Sequence, residues 1–162
     1  MSPAPNLLHQ QISRNLLLDI GNYFRHKPCQ VFDAPFDVRL FDRNKSIKAS
    51  QDIYTVVQPD LCVICDNSKL DSKGCLGAPD WIIEILSKGN SKKEMQTKYL
   101  LYLESGVKEY WLVYPYEQAI YAFVLNTEEN EYQLFKMYAN EDKATPYLFP
   151  ELIIDLRGVF TD

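Results

Sequence analysis

The stretch Gly77-Ala78-Pro79-Asp80-Trp81-Ile82-Ile83-Glu84-Ile85-Leu86-Ser87 decides the fold. Residues 81–86 are an apolar run interrupted by one acid, Glu84. Such a run predicts a strand covered on both faces, because a strand with one wet face alternates instead. A second dense run, residues 56–65, is interrupted only by Gln58, Pro59 and Asp60, and it predicts another central strand. Between the two, residues 66–79 are rich in Asp, Ser, Lys and Gly and read as a surface connection.

Downstream, Met95, Tyr99 and Tyr102 recur at steps of four and three, so residues 91–105 are predicted to be a helix stopped by Gly106. A helix of that length between two strands is a βαβ crossover, which makes the strands beginning at Trp81 and Val107 parallel. Residues 107–113, 119–125 and 131–138 read as further strands, the last two joined by the acidic loop 126–130, with a short closing strand at 152–156. Upstream, Leu8, Ile12, Leu16, Ile20 and Phe24 stand four apart, which predicts a helix over 7–24, capped by Asn6 and stopped before Pro28. Residues 31–33 and 36–41 alternate apolar and polar side chains and are expected to pair across Ala34-Pro35 or a bulge there, ahead of a polar loop at 42–52. The expectation is one α/β domain over residues 1–162, with a central mixed β-sheet flanked by helices.

Composition narrows the function. At 162 residues and 46% hydrophobic, the chain has room for one core. Met1 to Gln10 lacks the basic start and apolar run of a signal peptide, and no stretch has the apolar length to cross a bilayer, so the expected location is cytoplasmic and away from the membrane. Cys29, Cys62, Cys65 and Cys75 are too few for a disulfide scaffold, and free thiols are expected. A net charge of -5 argues against a general nucleic-acid coat protein, although a nuclease with an acidic cluster remains compatible with it.

The chemistry centres on Asp60 and Glu84. Burying a carboxylate in strands of Leu, Val and Ile costs several kcal/mol unless it is neutralised or bound to a cation. A hard divalent cation answers that need, since Mg²⁺ takes one or two carboxylates and completes its shell with water and phosphate oxygens; the Ile85 carbonyl could add a ligand. The alternative is an acid at a strand end facing water, or one paired with Lys98. Asp80 also follows a proline, but on a strand it stands about 13 Å from Glu84, too far to share a metal. Cys62 and Cys65 have CxxC spacing without a glycine turn or a second ligand pair, so buried thiols explain them better than zinc. Tyr110, Trp111, Tyr114, Tyr116 and Tyr121 could stack on bases, yet most fall on strands, where aromatic residues pack a core or a dimer face.

Several segments in order resemble a known family. They are Val57-Gln58-Pro59-Asp60-Leu61, the Gly77 to Ser87 stretch, Lys98, Tyr102, Gly106-Val107 and Glu109-Tyr110-Trp111, with Ser2-Pro3-Ala4-Pro5, His9 and the closing residues 152–160. Together they resemble the putative restriction endonuclease family of the PD-(D/E)XK nuclease superfamily. The resemblance implies a restriction endonuclease-like fold and a magnesium-dependent endonuclease hydrolysing DNA phosphodiesters, with Mn²⁺ as a substitute and a homodimer as the assembly. It makes Asp60 the motif aspartate and Glu84 the second acid. Leu86 stands where the superfamily places its lysine, and the resemblance assigns that role to Lys98 on the following helix. Glu94, one turn earlier, would orient Lys98 or form a surface pair with it. His9 reads as a structural or exposed histidine. Two other functions fit the same fold: a catalytically inactive DNA- or protein-binding module, and hydrolysis of another phosphodiester such as RNA.

Overall fold

Helix α1 (Leu7–Phe24) begins where Asn6 accepts a hydrogen bond from the His9 N–H at 2.9 Å. This computed structural model describes residues 6–42 and 54–161. The Ser2 to Pro5 motif, and the predicted 42–52 loop beyond Asp42, lie outside the described residues. Ile12, Leu16, Ile20 and Phe24 are buried, as their spacing predicts, and α1 ends at Arg25, ahead of Pro28.

The helix packs on a six-stranded sheet. Its strands are β1 (Gln30–Asp33), β4 (Leu61–Ile64), β7 (Trp81–Ile85), β8 (Glu109–Tyr114), β9 (Ala119–Asn126) and β10 (Glu131–Ala139), in that spatial order. β7 and β8 are parallel, with Trp81 opposite Glu109 and Ile85 opposite Val113, and the other pairs are antiparallel. The crossover between β7 and β8 is helix α2 (Lys92–Ser105). Ser91 caps it by accepting the Glu94 N–H at 3.1 Å, and Gly106 ends it at φ 85°, a left-handed geometry that costs glycine little.

The pleat of β7 explains its continuous apolar run. Trp81, Ile83 and Ile85 join the core under α1, while Ile82 joins a second core with Tyr102 of α2 and Tyr110 and Leu112 of β8. Glu84 shares the parity of Ile82, so it faces the side that α2 covers. That one feature of register brings a helix residue within reach of the acid.

Four expectations need correction. The run 56–65 is not one strand: β3 (Tyr54–Val57) and β4 belong to different sheets, and Gln58-Pro59-Asp60 carries the chain from one to the other. Pro59 has no N–H to extend a ladder, which fits it to that crossing. β1 and β2 (Val38–Phe41) do not pair across the cis Ala34–Pro35 bond; β1 is taken up by β4, and β2 turns into a four-stranded sheet between β3 and β6 (Gly74–Leu76). Residues 66–79 are therefore more than a surface connection. They supply β5 (Leu70–Asp71) and β6, and Gly74 and Cys75 are buried there. Gly74, at φ 124°, has the Asp37 carbonyl oxygen where a Cβ would stand, so the close approach requires glycine. The closing strand is only β12 (Ile154–Asp155), paired with β11 (Lys143–Ala144), and the chain then turns into the short helix α3 (Leu156–Val159).

The cysteines divide. Cys62 and Cys75 are free, as expected, and both are buried, whereas Cys29 and Cys65 form a disulfide. The register of β1 and β4, with Gln30 opposite Ile64, puts Cys29 and Cys65 directly across from one another. The pairing removes the cysteine argument for a reducing compartment and takes Cys65 out of any CxxC metal site. Among the described residues no helix is long and apolar enough to cross a membrane.

Candidate active site

Glu84 lies at the floor of a pocket, 6% exposed, with both oxygens engaged. Lys98 Nζ donates to Oε2 at 2.8 Å and the Tyr102 hydroxyl donates to Oε1 at 3.1 Å. Lys98 and Tyr102 are one helical turn apart, so α2 presents both from the same face. Leu86 lines the same pocket, and Lys98 reaches over from α2 to the acid.

Asp60 lies at the entry to β4, held from two sides. The Ile85 N–H donates to its Oδ2 at 2.7 Å, and His9 Nε2 lies 3.2 Å from its Oδ1. Ile85 is on β7 and His9 is on the first turn of α1, so three elements fix one carboxylate. His9 is buried rather than exposed, and its contact with Asp60 brings it to the site, where the sequence reading did not place it. A signal was present: His9 stands three residues before Ile12 and seven before Leu16, on the buried stripe of α1. Tyr102 was legible as part of the apolar face of α2 and of the family resemblance, neither of which named Glu84 as its partner. Its position one turn after Lys98 is the feature that points to Glu84.

The pocket has a volume of about 340 Å³ and also receives Gln58, Lys88 and Asn90. Burial pushes the Glu84 carboxyl up; Lys98 pulls it back, and the negative charge of Asp60 pushes it further up. Burial draws Lys98 down, but the charge and hydrogen bond of Glu84, and then Asp60, hold it above its ordinary value. His9 is raised, first by its hydrogen bond to Asp60 and against the effect of burial, with a further contribution from the Ile85 backbone. Glu94 does not form the expected pair with Lys98; it accepts from Asn90 Nδ2 at 3.2 Å. Asp80 lies apart, accepting the Cys65 N–H at 2.8 Å and facing Lys108 at 3.4 Å.

Two carboxylates lining one pocket, one of them nearly dry, have oxygens of the kind a hard cation takes. Their oxygens and the Ile85 backbone suit Mg²⁺ or Mn²⁺ better than a soft metal. Among the described residues there is no cluster of three or more His, Cys, Asp or Glu groups arranged to hold a metal.

Residues 1–157 match the family described as "Uma2: Putative restriction endonuclease". A crystal structure described as a putative nuclease from Anabaena variabilis superposes with a TM-score of 0.72 at 21% sequence identity, covering 99% of this chain and 84% of that one. At that identity the likeness establishes the restriction endonuclease-like fold. No curated protein matches the chain.

Proposed function

We propose that this chain, which belongs to the Uma2 putative restriction endonuclease family, is a magnesium-dependent endonuclease that hydrolyses DNA phosphodiesters. The observation that carries the reading is the 2.8 Å contact between Lys98 and the recessed Glu84, beside an Asp60 anchored by His9 and Ile85. A Glu84 paired with Lys98 is also the alternative that the sequence left open; what favours catalysis is that Asp60, Glu84 and Lys98 all line one pocket.

Asp60, Glu84 and the Ile85 carbonyl would hold the cation. When bound, a divalent cation there supplies Lewis-acid polarisation of a phosphoryl oxygen and lowers the pKa of water at the site. The chain does the rest. Lys98 has an ammonium with donors to spare beyond Glu84, and it hydrogen-bonds the phosphate and stabilises the charge that builds on it. Tyr102 holds the second oxygen of Glu84, so that carboxylate keeps one orientation while Lys98 shifts its hydrogen bonds. His9 and the Ile85 N–H do the same for Asp60, acting as positioning residues.

The test is cleavage of circular DNA, single-stranded and supercoiled, because a circle has no ends for an exonuclease. Cleavage that appears with Mg²⁺ or Mn²⁺, stops with EDTA and is lost in Glu84→Gln is expected. DNA binding without cleavage under any of these metals would favour the inactive module.

A further inference from the structure

The five aromatic residues around β8 separate by environment. Tyr110 and Trp111 are buried, and Tyr114 and Tyr121 face one another with ring centroids 4.8 Å apart. Tyr116 alone lies in the turn between β8 and β9, with 50% of its surface exposed. Two contacts hold it. Asn6 Nδ2 donates to its hydroxyl at 3.0 Å, and Lys88 Nζ lies 4.6 Å from its ring centroid.

Both of those neighbours line the pocket of Asp60, Glu84 and Lys98. Asn6 is itself fixed, since its Oδ1 caps α1 through the His9 N–H. The ring is thus tied to Asn6, the cap of α1, and lies beside Lys88 in the loop after β7, next to two residues of the pocket lining. A partly exposed ring held beside an ammonium suits a nucleotide: the ring stacks on a base while Lys88 meets the adjoining phosphate.

The pairing state of the substrate follows. In a duplex both faces of each base are covered by its neighbours, so only an unpaired base can use Tyr116. Glu84 is recessed at the pocket floor, and a flexible strand can bring a phosphate down to it more readily than a stacked helix can. We propose that Tyr116 is a nucleobase-stacking platform beside the scissile phosphate and that the preferred substrate is an unpaired DNA strand. This inference rests on the DNA-hydrolase reading above.

The test measures binding without metal, in EDTA, and then cleavage. Tyr116→Trp provides a fluorescent ring at the position, and its emission is expected to be quenched by a single-stranded oligonucleotide at concentrations where the matching duplex has no effect. Tyr116→Ala is expected to weaken single-strand affinity on the order of tenfold. Tyr116→Phe, which keeps the ring and loses only the bond to Asn6, is expected to retain most of the affinity, separating stacking from a local folding defect. Equal single-strand affinity in wild type and Tyr116→Ala, or equal quenching by duplex, overturns the inference. If the wild type cleaves duplex as fast as single strand and Tyr116→Ala matches it, this inference fails while the hydrolase reading stands. If the wild type neither binds nor cleaves either form, both fail.

Discussion

The Lys98 ammonium lies 2.8 Å from Glu84 Oε2, fourteen residues away along the chain and one crossover helix away in the fold. The pair joins a carboxylate that burial disfavours to a lysine whose side chain is 42% exposed. Its energetic value is therefore that of a half-wet ion pair, well below the figure for a fully buried one. Unfolding of Glu84→Gln, Lys98→Met and the double variant tests this. The double variant is expected to cost less than the two singles together, by on the order of 1 kcal/mol. Strict additivity would mean that the two side chains do not interact in solution.

Tyr102 contributes a buried hydroxyl whose bond to Glu84 is 3.1 Å long. Tyr102→Phe removes that donor and nothing else. The expected loss of stability in urea unfolding is about 1.5–3 kcal/mol, typical of a hydrogen bond to a charged group. A variant as stable as wild type would place the hydroxyl outside the Glu84 network.

His9 bears on Asp60 and only through it on a cation. Groups that orient a ligating carboxylate typically change metal affinity by about 10–100-fold when removed. Calorimetric titration with Mn²⁺ is expected to show a loss in that range for His9→Ala. Unaltered Mn²⁺ affinity would reduce His9 to a packing residue.

A second buried acid gives the pH dependence. Glu109 is 0% exposed; it accepts the Trp111 Nε1–H at 2.8 Å and the Tyr147 and Leu148 N–H groups at 3.0 and 2.9 Å, so it holds the segment before α3 against the sheet. Burial pushes its pKa up, against those three bonds. With the folded value above the unfolded one, its contribution to stability is complete below the ordinary glutamate value of 4.5 and declines as pH rises through the folded value. The stability of wild type relative to Glu109→Gln is expected to fall as pH rises above 4.5. A relative stability that rises across that window would show that the three donors outweigh burial.

The disulfide makes a countable claim. Denatured under non-reducing conditions, the chain is expected to titrate two thiols, Cys62 and Cys75, and four after reduction. Reduction opens a loop with a sequence separation of 36 and is expected to cost about 3–4 kcal/mol. Four thiols before reduction would contradict the Cys29–Cys65 pairing.

What was legible in the sequence followed from local period. The stripe Ile12-Leu16-Ile20-Phe24, the glycine stop at 106 and the doubly covered β7 each follow from side chains close in the chain, and all appear in the fold. The parallel pairing of β7 and β8 followed from the length of the connection. Partition between sheets was not legible. Apolar residues run from Val56 to Cys65 with little interruption, yet Val57 belongs to one sheet and Leu61 to another, and only long-range pairing decides that. The disulfide escaped for the same reason, since it depends on the register of β1 against β4. At the site, Asp60 and Glu84 stood out as acids in apolar runs. His9 did not, because its contact crosses from α1 to β4 and a single histidine on a helix carries no sign of what it faces.

The most direct test is the rate of DNA cleavage with Mg²⁺ by the wild type, Asp60→Ala and Lys98→Ala, each purified identically and checked for folding. Cleavage that depends on metal in the wild type, and falls by about 100-fold or more in both variants, is the predicted result. Equal rates in all three proteins would contradict it, and would locate the activity outside this pocket.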